Sequence, residues 1–107
     1  MSNKNNRKQI AIDFAKSLNN PEIEKIILFG SVARGEDNIN SDIDILILTT
    51  NDDDQLKIRD SIYTKVMDIL IKTGERVSLK FRSLNDYIKY KDFSFFSNVT
   101  KDGIILK

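Results

Sequence analysis

The chain has 107 residues, 40% of them apolar and 31% charged, and 17 Lys and Arg against 16 Asp and Glu leave a net charge of +1. This is the composition of one globular domain spanning 1–107, too evenly charged for nucleic acid to be expected as a direct substrate. With no Cys and no His, thiol nucleophiles, Cys or His zinc sites, Ser-His-Asp triads and disulfide frameworks are excluded, while a carboxylate-bound hard cation stays open.

The opening MSNKNNRKQ has no apolar stretch to act as a secretory signal, and no apolar run approaches the ~18 residues of a membrane span. A cytoplasmic protein without a membrane partner is therefore expected. Residues 1–8 are polar and predicted to fray. Ile10, Phe14 and Leu18, with Ala11 and Ala15 beside them, mark one face of an amphipathic helix that closes at Asn19-Asn20-Pro21. Ile23 to Phe29 reads as a short buried strand, followed by Gly30-Ser31 and a helical turn at Val32-Ala33-Arg34. Gly35 to Ser41 is a polar loop, and Asp42 to Leu48, rich in Ile, is the clearest strand in the chain.

Thr49 to Asp54 is a second polar break, read as a solvated turn in which Asn51, Asp52 or Asp53 caps the next helix. That helix is predicted over Leu56 to Lys72, with Ile58, Ile62, Val66, Ile69 and Leu70 at helical spacing and Gly74 as its stop. Arg76 to Phe81 alternates Val77, Leu79 and Phe81 against Ser78 and Lys80, a strand with one wet face. Ser83 with Asp86 forms a capping box for a helix through Tyr90. Phe93, Phe95 and Phe96 are an aromatic cluster belonging to the core or to an interface, and Gly103 leads into a terminal strand at Ile104-Ile105-Leu106. The expected class is α/β (α+β), with a small mixed sheet of three to four strands flanked by helices.

Two places carry chemistry. Asp42 and Asp44 are two residues apart on a predicted strand, so they share a face with Cα atoms ~7 Å apart. Paired carboxylates on an Ile-rich strand repel each other unless a cation or partner relieves them or water solvates the strand's end. Mg²⁺ is held by one or two such carboxylates together with substrate phosphates. Gly30-Ser31 lies at a strand-to-helix junction, where backbone N–H groups point outward and Gly permits close approach of a phosphate. Taken alone, Gly30-Ser31 is an ordinary turn and Arg34-Gly35 a surface charge and turn.

In combination, Gly30-Ser31, Ala33-Arg34-Gly35 and Ser41-Asp42-Ile43-Asp44 resemble the signature of the polymerase-β-like nucleotidyltransferases, and in particular their minimal nucleotidyltransferase (MNT) branch. The specific match runs over residues 28–48, and the Phe-rich segment ending in Lys101-Asp102-Gly103-Ile104-Ile105-Leu106 resembles the MNT tail. The resemblance implies a polymerase-β-like nucleotidyltransferase fold. It implies that Gly30, Ser31 and Arg34 bind the nucleotide, and that Asp42 and Asp44 are catalytic and coordinate Mg²⁺, with ATP as substrate. It further implies AMP transfer to a protein hydroxyl, a Tyr of a HEPN-type toxin for which this chain is the antitoxin. The alternative is a catalytically degenerate MNT-like antitoxin that neutralises a HEPN toxin by binding alone. That alternative arises because the family supplies a third carboxylate on a neighbouring strand. Here the matching residue is Ser78, with Lys80 on the same face and Glu75 just before the strand as a substitute. An aminoglycoside-type transferase fits less well, since those enzymes carry added drug-binding domains.

Overall fold

In the computed structural model, which describes residues 4–107, the order of elements is α1 (Lys4–Ser17), β1 (Ile23–Phe29), α2 (Gly30–Arg34), β2 (Ile43–Thr49), α3 (Asp52–Thr73), β3 (Val77–Ser83), α4 (Leu84–Tyr90), α5 (Ser94–Asp102) and β4 (Ile104–Ile105). The four strands form one mixed sheet in the order β3-β2-β1-β4. β1 runs antiparallel to both β2 and β4, whereas β2 and β3 are parallel and joined through α3. The sheet and its helical flanks agree with the class read from the sequence.

Side-chain alternation explains how β2 comes to lie in the interior of the sheet. Ile43, Ile45 and Ile47 face one side, where they pack with Ala11, Phe14 and Ala15 of α1, Leu18 just after it, and Ile58, Ile62 and Val66 of α3. Leu46 and Leu48 face the other side and meet Ile27 of β1 and Phe96 and Val99 of α5. A strand covered on both faces has to be apolar almost throughout, as parallel-paired strands usually are. Each fully buried Leu or Ile side chain contributes ~1.5–3 kcal/mol of transfer free energy. The exceptions, Asp42 and Asp44, occur only at the N-terminal end of β2, so the polar site sits where the apolar layer stops. Among the described residues, no helix is long and apolar enough to cross a membrane.

Three differences from the sequence reading have physical causes. Residues 1–3 lie outside the described residues, but residues 4–8 are helical and not frayed. Arg7 is the reason, since its side chain is buried in hydrogen bonds to distant residues. α3 starts at Asp52, so the acidic run expected as a solvated turn is the first helical turn. Its carboxylates face the positive end of the helix dipole, and Asp54 Oδ2 accepts from the Asn51 backbone N–H at 3.2 Å. The aromatic cluster is divided: Phe96 is buried, Phe95 is half-buried and stacks edge-on against Phe29, and Phe93 is 65% exposed.

Candidate functional site

The site is assembled at one corner of the sheet from the end of β1, the α2 turn and the starts of β2 and β3. β1 brings Phe29 opposite Asp44, so the following residue, Gly30, lands directly against the Asp44 side chain. A Cβ at position 30 would lie 2.4 Å from Asp44 Oδ2 and 3.2 Å from Cγ. Gly30 also has φ +76°, a conformation that costs an L side chain ~1–2 kcal/mol. The fold therefore needs glycine here twice over, once for the turn and once for the carboxylate beside it.

α2 then turns Ser31 and Arg34 around this corner. Glu36 N–H donates to the Ser31 carbonyl at 2.9 Å and Gly35 N–H to the Val32 carbonyl at 3.2 Å, closing the turn. Arg34 is 3.5 Å from Glu36 and 3.8 Å from Asp102 at the end of α5. Both pairs are solvent-exposed and contribute little to stability.

Asp44, the second residue of β2, points away from the face that Ile43, Ile45 and Ile47 turn to α1 and α3, while Asp42, just ahead of the strand, borders a cleft on the α3 side. Burial pushes the Asp44 carboxyl above the usual carboxylate range, and the charge of Asp42 pushes it the same way. Lys80 and Arg34 pull it part of the way back. Asp42 Oδ1 is buried without a hydrogen-bond partner. Arg76 Nε reaches it at 3.0 Å as an ion pair, out of line for a hydrogen bond. The corner thus holds two neighbouring carboxylates, Asp44 destabilised in its charged form and Asp42 with an oxygen that meets only the Arg76 guanidinium. Such a donor set fits a hard divalent cation, which takes oxygen ligands and offsets the repulsion.

β3 lies parallel to β2 with Ser78 opposite Asp44 and Lys80 opposite Leu46. Ser78 is thus the β3 residue beside the acidic pair. Glu75, the other candidate for a third acidic group, is instead buried against Arg7, whose Nε donates to its carboxylate at 2.6 Å. Among the described residues, no group of three or more His, Cys, Asp or Glu converges where it could hold a metal. A cleft of about 380 Å³ opens beside Asp42 and Ser78, walled by Tyr63, Val66, Leu70 and Leu79.

The sequence profile described as "Polymerase beta, Nucleotidyltransferase" matches residues 9–107. The chain belongs to the polymerase-β nucleotidyltransferase family. This nucleotidyltransferase-family chain is 37% identical over 95 residues to MJ0604 of Methanocaldococcus jannaschii, named a protein adenylyltransferase, and the match covers 89% of each. MJ0141 of the same organism, also named a protein adenylyltransferase, is 34% identical over 86 residues, covering 78% of each chain. Among solved structures, a toxin-antitoxin with AMP-PNP superposes with a TM-score of 0.55 at 25% identity, covering 95% of this chain and 73% of that one. A structure from Sulfolobus solfataricus described as a nucleotidyltransferase has a TM-score of 0.51 at 21% identity over 98% of this chain and 87% of its own, a likeness of fold. The mixed four-stranded sheet flanked by helices is thus the nucleotidyltransferase fold.

Sequence reasoning overlooked Arg7 and Arg76. Arg7 stands in a polar stretch with no periodic signal, and Arg76 precedes a strand as an ordinary surface charge. Their partners lie at sequence separations of 68 for Arg7 with Glu75 and 36 for Arg76 with the Asn40 carbonyl.

Proposed function

We propose that this chain is a Mg²⁺-dependent protein adenylyltransferase that moves AMP from ATP to a hydroxyl of a partner protein and acts as the antitoxin of a toxin-antitoxin pair. The observation that carries this reading is the Asp42–Asp44 pair, with Asp44 abutting Gly30 at the start of the nucleotide-side turn. The names of the two archaeal relatives and the AMP-PNP in the toxin-antitoxin neighbour support it. The finer assignment, a Tyr acceptor on a HEPN-type toxin, belongs to the same proposal.

In this reading Asp42 and Asp44 would hold the cation, and the chemistry it would supply is neutralisation of phosphate charge and polarisation of the α-phosphorus. Gly30 and Ser31 present the turn to the phosphates, and Arg34 offers a guanidinium to the same charge. The acceptor oxygen bonds to the α-phosphorus as the bond to pyrophosphate breaks, and the hydroxyl proton leaves to solvent. The cleft beside Asp42 and Ser78 gives the acceptor side chain a route in, its apolar wall suiting an aromatic or aliphatic stem. Titration calorimetry with AMP-PNP tests the first half of the proposal. Binding that requires Mg²⁺ and vanishes in Asp42→Asn is expected, and metal-independent binding contradicts it.

Ser78 favours a second reading, in which the chain silences a toxin by binding alone. One substitution separates the two. If a third carboxylate is what the site lacks, Ser78→Asp raises AMP transfer about tenfold or more. It also lowers Tm in the absence of metal, since a third negative charge then faces Asp44. Transfer that stays at zero in both forms supports the binding-only reading.

A further inference from the structure

Arg7 and two carboxylates form a buried clasp some distance along the chain from the acidic pair. Arg7, Asp37 and Glu75 are 6%, 4% and 9% exposed. Arg7 Nε donates to Glu75 Oε2 at 2.6 Å, and Nη1 donates to Asp37 Oδ2 at 2.9 Å. The same guanidinium donates to two loop carbonyls, from Nη1 to that of Asn38 at 2.5 Å and from Nη2 to that of Ile39 at 3.4 Å. One side chain of α1 therefore ties together the loop after α2 and the junction between α3 and β3. Burying a guanidinium and two carboxylates is costly, and hydrophobic residues of the same volume often serve stability as well or better. Such a cluster calls for a reason other than stability.

The reason is what the tied segments carry. Residues 35–41 lead straight into Asp42. Within the loop, Ser41 N–H donates to the Asn38 carbonyl, Asn38 N–H to Ser41 Oγ, and Asn40 N–H to Asn38 Oδ1, at 2.8–3.0 Å. These bonds cross-link residues 38–41, so holding Asn38 and Ile39 constrains the end of the loop that enters Asp42. On the other side, Glu75 precedes Arg76, whose carbonyl accepts from Ile43 N–H at 2.8 Å and whose side chain meets Asp42 and the Asn40 carbonyl. Both routes from Arg7 converge on the residues flanking Asp42.

We propose that Arg7 is a positioning residue that sets the place of the Asp42 carboxylate through the 35–41 loop and the Glu75–Arg76 junction. This rests on the reading of Asp42 and Asp44 as cation ligands. The partners of the Arg7 guanidinium are Asp37, Glu75 and the Asn38 and Ile39 carbonyls, none of them in the acidic pair.

Removing Arg7 alone takes the guanidinium from two buried carboxylates and risks the fold, so the test uses Arg7→Met/Asp37→Asn/Glu75→Gln, which removes the three charges of the clasp together. Three quantities are read against wild type: Tm, hydrogen exchange of the Asn38, Asn40 and Ser41 amides, and binding of Mn²⁺ with AMP-PNP by the paramagnetic signal of the free ion. The expected result is a Tm within a few degrees of wild type, faster exchange at those three amides, and Mn²⁺ affinity reduced about tenfold or more, the usual effect of losing an outer-shell support. Wild-type exchange at those amides overturns the proposal whatever the metal does, as does unchanged Mn²⁺ affinity in the folded variant. Failure of wild type itself to bind Mn²⁺ contradicts the cation-site reading instead, and the exchange data then decide whether Arg7 holds the loop. Should the triple variant not fold, Arg7→Lys replaces it. A single ammonium cannot make the forked contacts, so the same exchange and affinity changes are expected in smaller measure, and their absence overturns the proposal.

Discussion

Asp44→Asn is expected to abolish Mg²⁺-dependent AMP transfer, by about 100-fold at the least, while making the protein more stable at neutral pH. The loss follows from the chemistry of the donor set. Asn keeps the size of Asp but gives up the negative charge that would hold a hard cation, and with it the positive charge that would offset the phosphates. The gain follows from the native environment of Asp44. Burial, with Asp42 close by, holds its folded-state carboxyl above the usual range, so ionisation at neutral pH weakens the fold. Well below the unfolded range both states are protonated, and wild type and Asn variant should melt together. As pH rises through the folded range, wild type loses stability that the variant retains. A higher Tm for the Asn variant at pH 7.5, by a margin that closes toward pH 3, is expected in metal-free buffer. Saturating Mg²⁺ with nucleotide should reverse the order by stabilising wild type alone. An Asn variant that melts below wild type at pH 7.5 without metal contradicts this account of the site's electrostatics.

The second large effect is at Gly30. Gly30→Ala meets two obstacles, the +76° φ and a Cβ that would sit 2.4 Å from Asp44 Oδ2. The first costs ~1–2 kcal/mol, about 4–16 °C in Tm for a chain of this length. The second forces the Asp44 carboxylate away from the turn. Gly74 is the natural control, because it has φ +77° at the end of α3 with open space where its Cβ would go. Gly74→Ala should therefore lose comparable stability and keep its transfer activity below its melting range. Gly30→Ala should lose both, with transfer down at least about 100-fold when assayed well below Tm. Equal activity in the two variants would mean that the contact between Gly30 and Asp44 has no part in the chemistry.

Much of this site was legible because its parts are local. β1 runs from Ile23 to Phe29 as the apolar run indicates, and the Gly30 turn and the Asp42–Asp44 strand follow within twenty residues. The short spacing alone brings the two carboxylates close enough for the charge of Asp42 to act on Asp44. The register that sets Ser78 opposite Asp44 is a product of the long α3 crossover, and no local pattern specifies it. The clasp was illegible for the same reason: Arg7 and Asp37 look like solvated surface charges, and Glu75 reads as a substitute third carboxylate, until the fold brings the three together. The α3 start was misplaced because an acidic run suits a turn and a helix N-terminus equally well, and the Asn51–Asp54 pairing decides for the helix.

The most direct test of the central claim is the intact mass of the proposed toxin partner, a HEPN-type protein, after incubation with this chain, ATP and Mg²⁺. The account predicts a gain of one or more AMP units that requires both ATP and Mg²⁺ and is absent with Asp44→Asn. A partner that forms a complex with the wild-type chain yet keeps its mass, with ATP and Mg²⁺ saturating, would contradict it.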